Sequence, residues 1–195
     1  MSAQAPGVAM TAYQQFDSQR AADVALTGVR VGADALLCAE GKALPAIDES
    51  LDFATALLCS EAVGAMQYAN DTTLEYLKTH KQFGAPIGSF QALQHRMVEM
   101  VISMEQARSM SYLACSKVDG EPDAGERARC VSAAMIKVAD AARLVSHETV
   151  QLHGGIGMTD ALKASHTFRR LTLIAQQHGD ADFHLARFAA LGRGV

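Results

Sequence analysis

Gln151-Leu152-His153-Gly154-Gly155-Ile156-Gly157 decides the fold, because it interrupts an otherwise nearly continuous run of helix-forming sequence. Upstream, Arg127 to Val150 carries apolar residues at helical spacing and no proline; downstream, Asp160 to Gln177 resumes the pattern. Gly154 and Gly155 allow positive φ and leave the peptide bare of side chains. Such a hinge serves either as an ordinary helix C-cap or as a surface where a large ligand lies against backbone, with Gln151 adding a side-chain donor and acceptor. Both readings stand at this point.

Working outward from the hinge, the spacing predicts five helices. The first covers Leu51 to Gln82, with Leu57, Val63, Met66 and Leu74 inward, and stops at Phe83-Gly84-Ala85-Pro86. Gly41 to Asp48, containing Pro45, reads as the linker before it. The second opens at Phe90 with Ser89 as N-cap. Its stripe runs Phe90, Leu93, Met97, Met100, Val101, Met104, Ala107 and Tyr112, and Asp119-Gly120-Glu121-Pro122 breaks it. A methionine stripe at this spacing fits a core helix better than an adaptable groove. The third runs from about Asp123 to Gln151, with Ala133, Ile136, Ala139, Ala142, Val145 and Val150 inward. The fourth covers Asp160 to Gln177, and a short fifth covers Asp180 to Leu191. Short connections between long helices predict a mostly α fold: an antiparallel four-helix bundle plus a short fifth helix.

The first forty residues differ. Tyr13-Gln14-Gln15-Phe16, Asp23-Val24-Ala25-Leu26 and Val29-Arg30-Val31 read as two or three short strands separated by turns. A lone β-hairpin is marginal in water, so these strands need a sheet supplied from elsewhere. The expected division is residues 1–40 as the tail of a β-domain and 41–195 as the helical bundle.

Composition excludes several classes. With 195 residues, 49% of them hydrophobic, the chain can bury a sizeable core. A net charge of -4 with scattered basic residues gives no footprint for nucleic acid. No apolar run approaches the ~20 residues of a membrane span, and the N-terminus lacks a signal-peptide pattern. Cys38, Cys59, Cys115 and Cys130 form no CxxC pair and read as buried thiols in a reducing cytoplasm.

Local chemistry motifs fail one by one. Gly154-Gly155-Ile156-Gly157 follows a helix rather than a strand, against a Rossmann fingerprint. His147-Glu148 lacks the second histidine of a zinc helix, since Gln151 holds that place, so no metal site is expected. His178 and His184 share no helix face and read as surface or cap residues. No serine or cysteine sits in a nucleophile elbow.

Taken together, several stretches are more specific. They are Tyr76-Leu77-Lys78-Thr79-His80-Lys81-Gln82-Phe83-Gly84-Ala85-Pro86-Ile87, Phe90-Gln91-Ala92-Leu93-Gln94, the glycine hinge, and Phe168-Arg169-Arg170. The set resembles the C-terminal helical domain of the acyl-CoA dehydrogenase family over about Leu51 to Leu191. Ala5-Pro6-Gly7-Val8 and Arg20-Ala21-Ala22-Asp23-Val24 look like the end of that family's middle β-domain. Lys81-Gln82-Phe83-Gly84, Gly88-Ser89-Phe90-Gln91, Gln94-His95-Arg96 and His153-Gly154-Gly155-Ile156-Gly157-Met158-Thr159 look most like small subunits of the pimeloyl-CoA dehydrogenase type, which pair with a different large subunit.

The resemblance implies an FAD-dependent oxidoreductase that forms an α,β double bond in an acyl-CoA thioester, with pimeloyl-CoA or another dicarboxylyl-CoA as the implied substrate. It implies FAD at a subunit interface, met by a turn and a glycine hinge; the matching positions are His80, Gln82, Phe83, Ile87, Gln151, Gly154 and Gly155. It also implies a partner, either a large subunit or a second copy, with electron-transfer flavoprotein as acceptor.

Three departures qualify the expectation. His80 stands where the family has arginine, and a neutral imidazole in place of a permanent cation costs roughly 1.5–3 kcal/mol of a charge-assisted bond, about 10- to 150-fold in affinity. The family's catalytic glutamate falls on His178 or, in its alternative place, on Ala54, and neither is a carboxylate. The chain also looks like a fragment or a naturally shortened subunit, without the N-terminal helical domain and most of the middle sheet. A small subunit that completes a cofactor site and supplies no base is therefore expected, with His178 at the base position. The alternatives are an active enzyme with its own base, from His178 or Asp180, and a helical oligomerisation module with a retired flavin site.

Overall fold

The computed structural model describes residues 2–192 and divides into two compact units, Met1–Asp48 and Glu49–Val195. In the first unit, β1 (Val8–Gln14) pairs antiparallel with β2 (Arg20–Leu26), from Val8 opposite Leu26 to Gln14 opposite Arg20. The turn forms at Gln15–Gln19, where the Gln15 amide donates to the Gln19 carbonyl at 2.8 Å and Ser18 takes a φ of 69°. The first strand therefore begins at Val8, earlier than the expected Tyr13, and Val29–Val31 forms no strand.

The second unit is helical, and α1 begins five residues before its boundary. α1 spans Leu44–Thr79, α2 Gln91–Gly120, α3 Ala124–His153, α4 Lys163–Ile174 and α5 Ala181–Leu191. Pro45 does not mark a linker. It occupies the first turn of α1, where the missing N–H has no helical acceptor to lose and the fixed φ suits the helix. Ser89 does not cap α2 either: its hydroxyl donates to the Pro86 carbonyl at 2.7 Å within a 3₁₀ turn, Ile87–Ser89. Asp123 does cap α3, accepting from the Glu126 amide at 2.8 Å, and Asp180 caps α5 from the Phe183 amide at 2.9 Å. α4 is shorter than expected at both ends, because the hinge continues as a 3₁₀ turn to Met158.

Cross-helix contacts fix the directions. Asp52 meets Arg127, Cys59 meets Met135 and Thr73 meets Thr149, so α1 and α3 run parallel with a constant offset of 75 or 76 residues. α2 runs against both, pairing Ser60 with Ser111, Asn70 with Met104 and Arg96 with Glu148. Consecutive long helices are thus antiparallel, as in an up-down bundle.

The core is built from small and flexible side chains. Ala56, Cys59, Ala62, Met66 and Ala69 of α1 face Met100, Met104 and Ala107 of α2 and Val131, Met135, Val138, Ala142 and Val145 of α3. Leu57 and Leu74 point outward at 54% and 40% exposure, as do Val101 and Tyr112 on α2. Alanines occupy the inward positions and let the helices approach closely. Ala133, Ile136 and Val150 of α3 are half-buried rather than central.

Candidate functional site

The chain leaves α1 through a very short hairpin. β3 (Lys81–Gln82) pairs with β4 (Ala85–Pro86), and the Ile87 amide returns to the His80 carbonyl at 2.9 Å. Phe83 and Gly84 form the two-residue turn, with φ of 55° and 78°. Positive φ at both positions matches the twist of a tight hairpin and normally selects asparagine, aspartate or glycine. A bulky phenylalanine there is strained, yet Phe83 is 91% exposed and makes only an edge contact with Phe90, at 6.1 Å between ring centroids. Among the described residues, the Phe90 edge is the one ring contact Phe83 makes.

The hinge stands at the end of α3. Gly154 is its C-cap, with φ 64° and ψ -142°, a conformation open essentially to glycine alone; its amide donates to the Gln151 and Val150 carbonyls. Gly157 is required for a different reason: a Cβ would lie 2.7 Å from the Val150 carbonyl and 3.1 Å from the His153 Cβ. Gly155 is exposed, and a Cβ on it would meet nothing within 4 Å. The hinge is therefore a helix cap at Gly154, a packing contact at Gly157 and bare peptide at Gly155. Gln151 is exposed one turn earlier, and its side chain has no partner among the described residues.

Turn and hinge are joined through Tyr76. Its ring stacks on His80 at 4.7 Å with the planes 13° apart, and meets His153 in a tilted contact at 4.5 Å with the planes 31° apart. His153 is buried; its Nδ1 lies 2.8 Å from the Thr149 carbonyl, so Nδ1 carries the proton and donates. Its Nε2 is buried without a partner, and burial lowers the ring's pKa against the opposing pull of the Thr149 carbonyl. Gln82 is exposed on β3, whereas Ile87 is half-buried against the core and anchors the hairpin.

The candidate base positions lie at the other end. His178 is exposed in the loop before α5, with a φ of 61°. α5 docks beside the first half of α3, where His184 Nδ1 and Ser132 Oγ are 3.4 Å apart. Ser132 and His153 are 21 residues apart on one helix, roughly 30 Å at the α-helical rise. Ala54 belongs to the same end as His178, since Asp52, one half-turn earlier on α1, accepts from Arg187 of α5 at 2.7 Å and from Arg127 of α3 at 3.4 Å. His184 is not a surface or cap residue; it is 1% exposed, and burial, aided by Arg187, pushes its pKa down.

The two carboxylates differ: Asp52 is buried between two guanidinium groups, whereas Asp180 is exposed and caps α5 through one oxygen. No cluster of metal-ligating side chains occurs among the described residues, and His147 lies against Phe168 at 5.5 Å. No described helix is long and apolar enough to cross a membrane. The arrangement offers an aromatic and bare peptide at one end of the bundle, and the exposed His178, in place of a carboxylate, at the other.

Known proteins share this helical domain. Residues 41–190 match the family model for the acyl-CoA dehydrogenase C-terminal domain. Over 108 residues the chain is 39% identical to acyl-CoA dehydrogenase IpdE2 of Mycobacterium tuberculosis, covering 55% of this chain and 31% of that protein. The fold superposes on the ChsE4-ChsE5 complex of the same organism with a TM-score of 0.89 at 25% identity, covering 100% of this chain and 51% of that one. It also superposes on PigA with FAD and proline with a TM-score of 0.87 at 24% identity, covering 97% and 50% respectively. The chain thus spans about half the length of these structures and about a third of IpdE2.

Proposed function

Because the chain belongs to the acyl-CoA dehydrogenase family through its C-terminal helical domain, we propose that it completes the FAD site and subunit interface of such an enzyme rather than supplying its base. FAD is the cofactor, and when bound it accepts the hydride from the β-carbon of the acyl thioester. The assembly forms an α,β double bond in an acyl-CoA, with a dicarboxylyl-CoA of the pimeloyl type as the substrate suggested by the sequence resemblance. The partner is a large acyl-CoA dehydrogenase subunit or a second copy of this chain. Electron-transfer flavoprotein is the acceptor and the cytoplasm the location. In this reading residues 1–40 extend a partner's or a neighbouring segment's β-domain, and 41–195 form the helical domain.

Phe83 carries the argument. It is strained and almost fully exposed, so its own fold gains little from it, while a flat aromatic face suits an adenine or flavin edge. Gly155 adds to it, since only something outside the described chain benefits from the missing side chain. Gln151 and the hinge peptide contribute hydrogen-bonding groups without charge. His80 sits at the base of the turn and can offer a phosphate one N–H, where an arginine would offer a fork. At the opposite end, His178 and Ala54 hold the base positions without a carboxylate, and Asp52, two residues from Ala54, is held by Arg187 and Arg127.

The test is to mix the purified chain with the large subunit and measure retained flavin by absorbance between 300 and 550 nm. Flavin retention should rise over that of the large subunit alone. Equal retention with and without this chain would leave a helical oligomerisation module with a retired site.

A further inference from the structure

We infer that Tyr76 is a positioning residue that holds the Phe83 turn and the Gly154–Gly155 hinge in one fixed arrangement, so that a single dinucleotide meets both. The inference rests on the proposed FAD site and adds a residue that touches neither turn apex nor exposed peptide. Tyr76 lies on the last turns of α1, four residues before His80, and its ring contacts both His80 and His153 at under 5 Å between centroids. His80 begins the hairpin that carries Phe83, and His153 is the last residue of α3 before Gly154. The rings therefore link the two segments directly, across the α1–α3 contact.

The choice of side chains supports a positioning role. His153 is 3% exposed with Nε2 unpartnered, an arrangement that a leucine in the same space would avoid. What a leucine cannot supply is the ring that meets Tyr76. Below the stack, Thr73 and Thr149 approach at 3.5 Å between hydroxyl oxygens, and Leu77 packs in the core, so the end of α1 is held to the end of α3 on both sides of Tyr76. Gly88 closes the hairpin from the other side, where a Cβ would lie 2.8 Å from the Leu77 carbonyl. A site split over two segments binds more tightly when their spacing is fixed beforehand, because less ordering remains to be done on binding.

The experiment compares wild type, Tyr76→Phe and Tyr76→Leu, each assembled with the large subunit. FAD dissociation constants are read by flavin fluorescence, and partner capture is read separately. Tyr76→Phe should match wild type, because the ring is retained. Tyr76→Leu should bind FAD roughly five- to tenfold more weakly while still capturing the partner, as expected for losing about two aromatic contacts. Should Tyr76→Leu fail to fold, His153→Gln, which removes one of the two ring contacts and keeps a polar atom, should weaken FAD binding roughly two- to threefold. Unchanged FAD affinity in the folded leucine or glutamine variant overturns the inference while leaving the proposed site intact. A wild-type assembly that holds no flavin overturns both.

Discussion

Tyr76 and His153 meet in a tilted ring contact with their centroids 4.5 Å apart, and the contact ties the end of α1 to the end of α3. Because α1 and α3 run parallel, the segments leaving their two C-terminal ends emerge side by side. The hairpin turn and the glycine hinge, some seventy residues apart in sequence, thereby form one edge of the bundle. At the opposite edge, α5 brings the His178 loop beside the first half of α3.

Phe83→Asn should stabilise the chain by about 1 kcal/mol. Asparagine tolerates the left-handed φ of 55° that phenylalanine adopts with strain, and an exposed ring leaves almost no packing to lose. Urea denaturation of the two proteins is the measurement. A variant less stable than wild type would show that the ring is held by contacts within the chain.

The hinge glycines should separate by role. Gly154→Ala forces a side chain into a glycine-only conformation and should cost about 1–3 kcal/mol. Gly157→Ala places a methyl group 2.7 Å from the Val150 carbonyl and should cost a similar amount. Gly155→Ala should leave stability within about 0.5 kcal/mol of wild type and weaken flavin retention. Thermal melts and flavin absorbance of the three variants distinguish these outcomes, and equal destabilisation by all three would contradict the assignment.

Asp52→Asn should be among the most damaging single substitutions in the bundle. It leaves Arg127 and Arg187 without their shared carboxylate, and breaking one side of a buried ion pair costs roughly 3–5 kcal/mol. The loss is read by chemical denaturation, and a change under about 1 kcal/mol would mean solvent reaches the pair.

Stability should fall as pH drops below about 6.5. Burial holds both His153 and His184 below the ordinary histidine value; the Thr149 backbone opposes it at His153, while at His184 Arg187 adds to it and the His178 backbone, Asp52 and Asp180 oppose it. The unfolded chain takes up protons near pH 6.5 that the fold refuses, so stability is full above that pH and declines below it, by at most about 1.4 kcal/mol per pH unit for each ring. Urea midpoints measured from pH 5 to pH 8 check the sign, and His184→Gln should flatten the profile. A midpoint independent of pH across that range would rule the account out.

The order of the helices and the break at Gly154 are legible in the sequence because periodicity and glycine act locally. The inward face of α1 is not, because Leu57 and Leu74 look like core residues while Ala56, Ala62 and Ala69 fill it. Pro45 reads as a breaker until its position in the first helical turn is known. Phe83 is marked by its motif, but its exposure and strain appear only once the hairpin closes around it. Asp52 and Arg187 are 135 residues apart, and no local pattern announces that α5 folds back to pair them. His184 hides for the same reason: its burial depends on where α5 docks against α3. Tyr76 stands within the quoted motif, yet its role depends on a ring contributed from α3.

The most direct measurement is the flavin content of the assembly formed by the large subunit with wild-type chain or with Phe83→Asn. This variant suits the purpose because its fold is expected to gain stability, so a loss of flavin cannot be assigned to unfolding. Bound FAD near stoichiometry with wild type, and clearly reduced retention with Phe83→Asn at equal partner capture, is the predicted result. Equal flavin content in the two assemblies would contradict the claim that this turn forms part of the cofactor site.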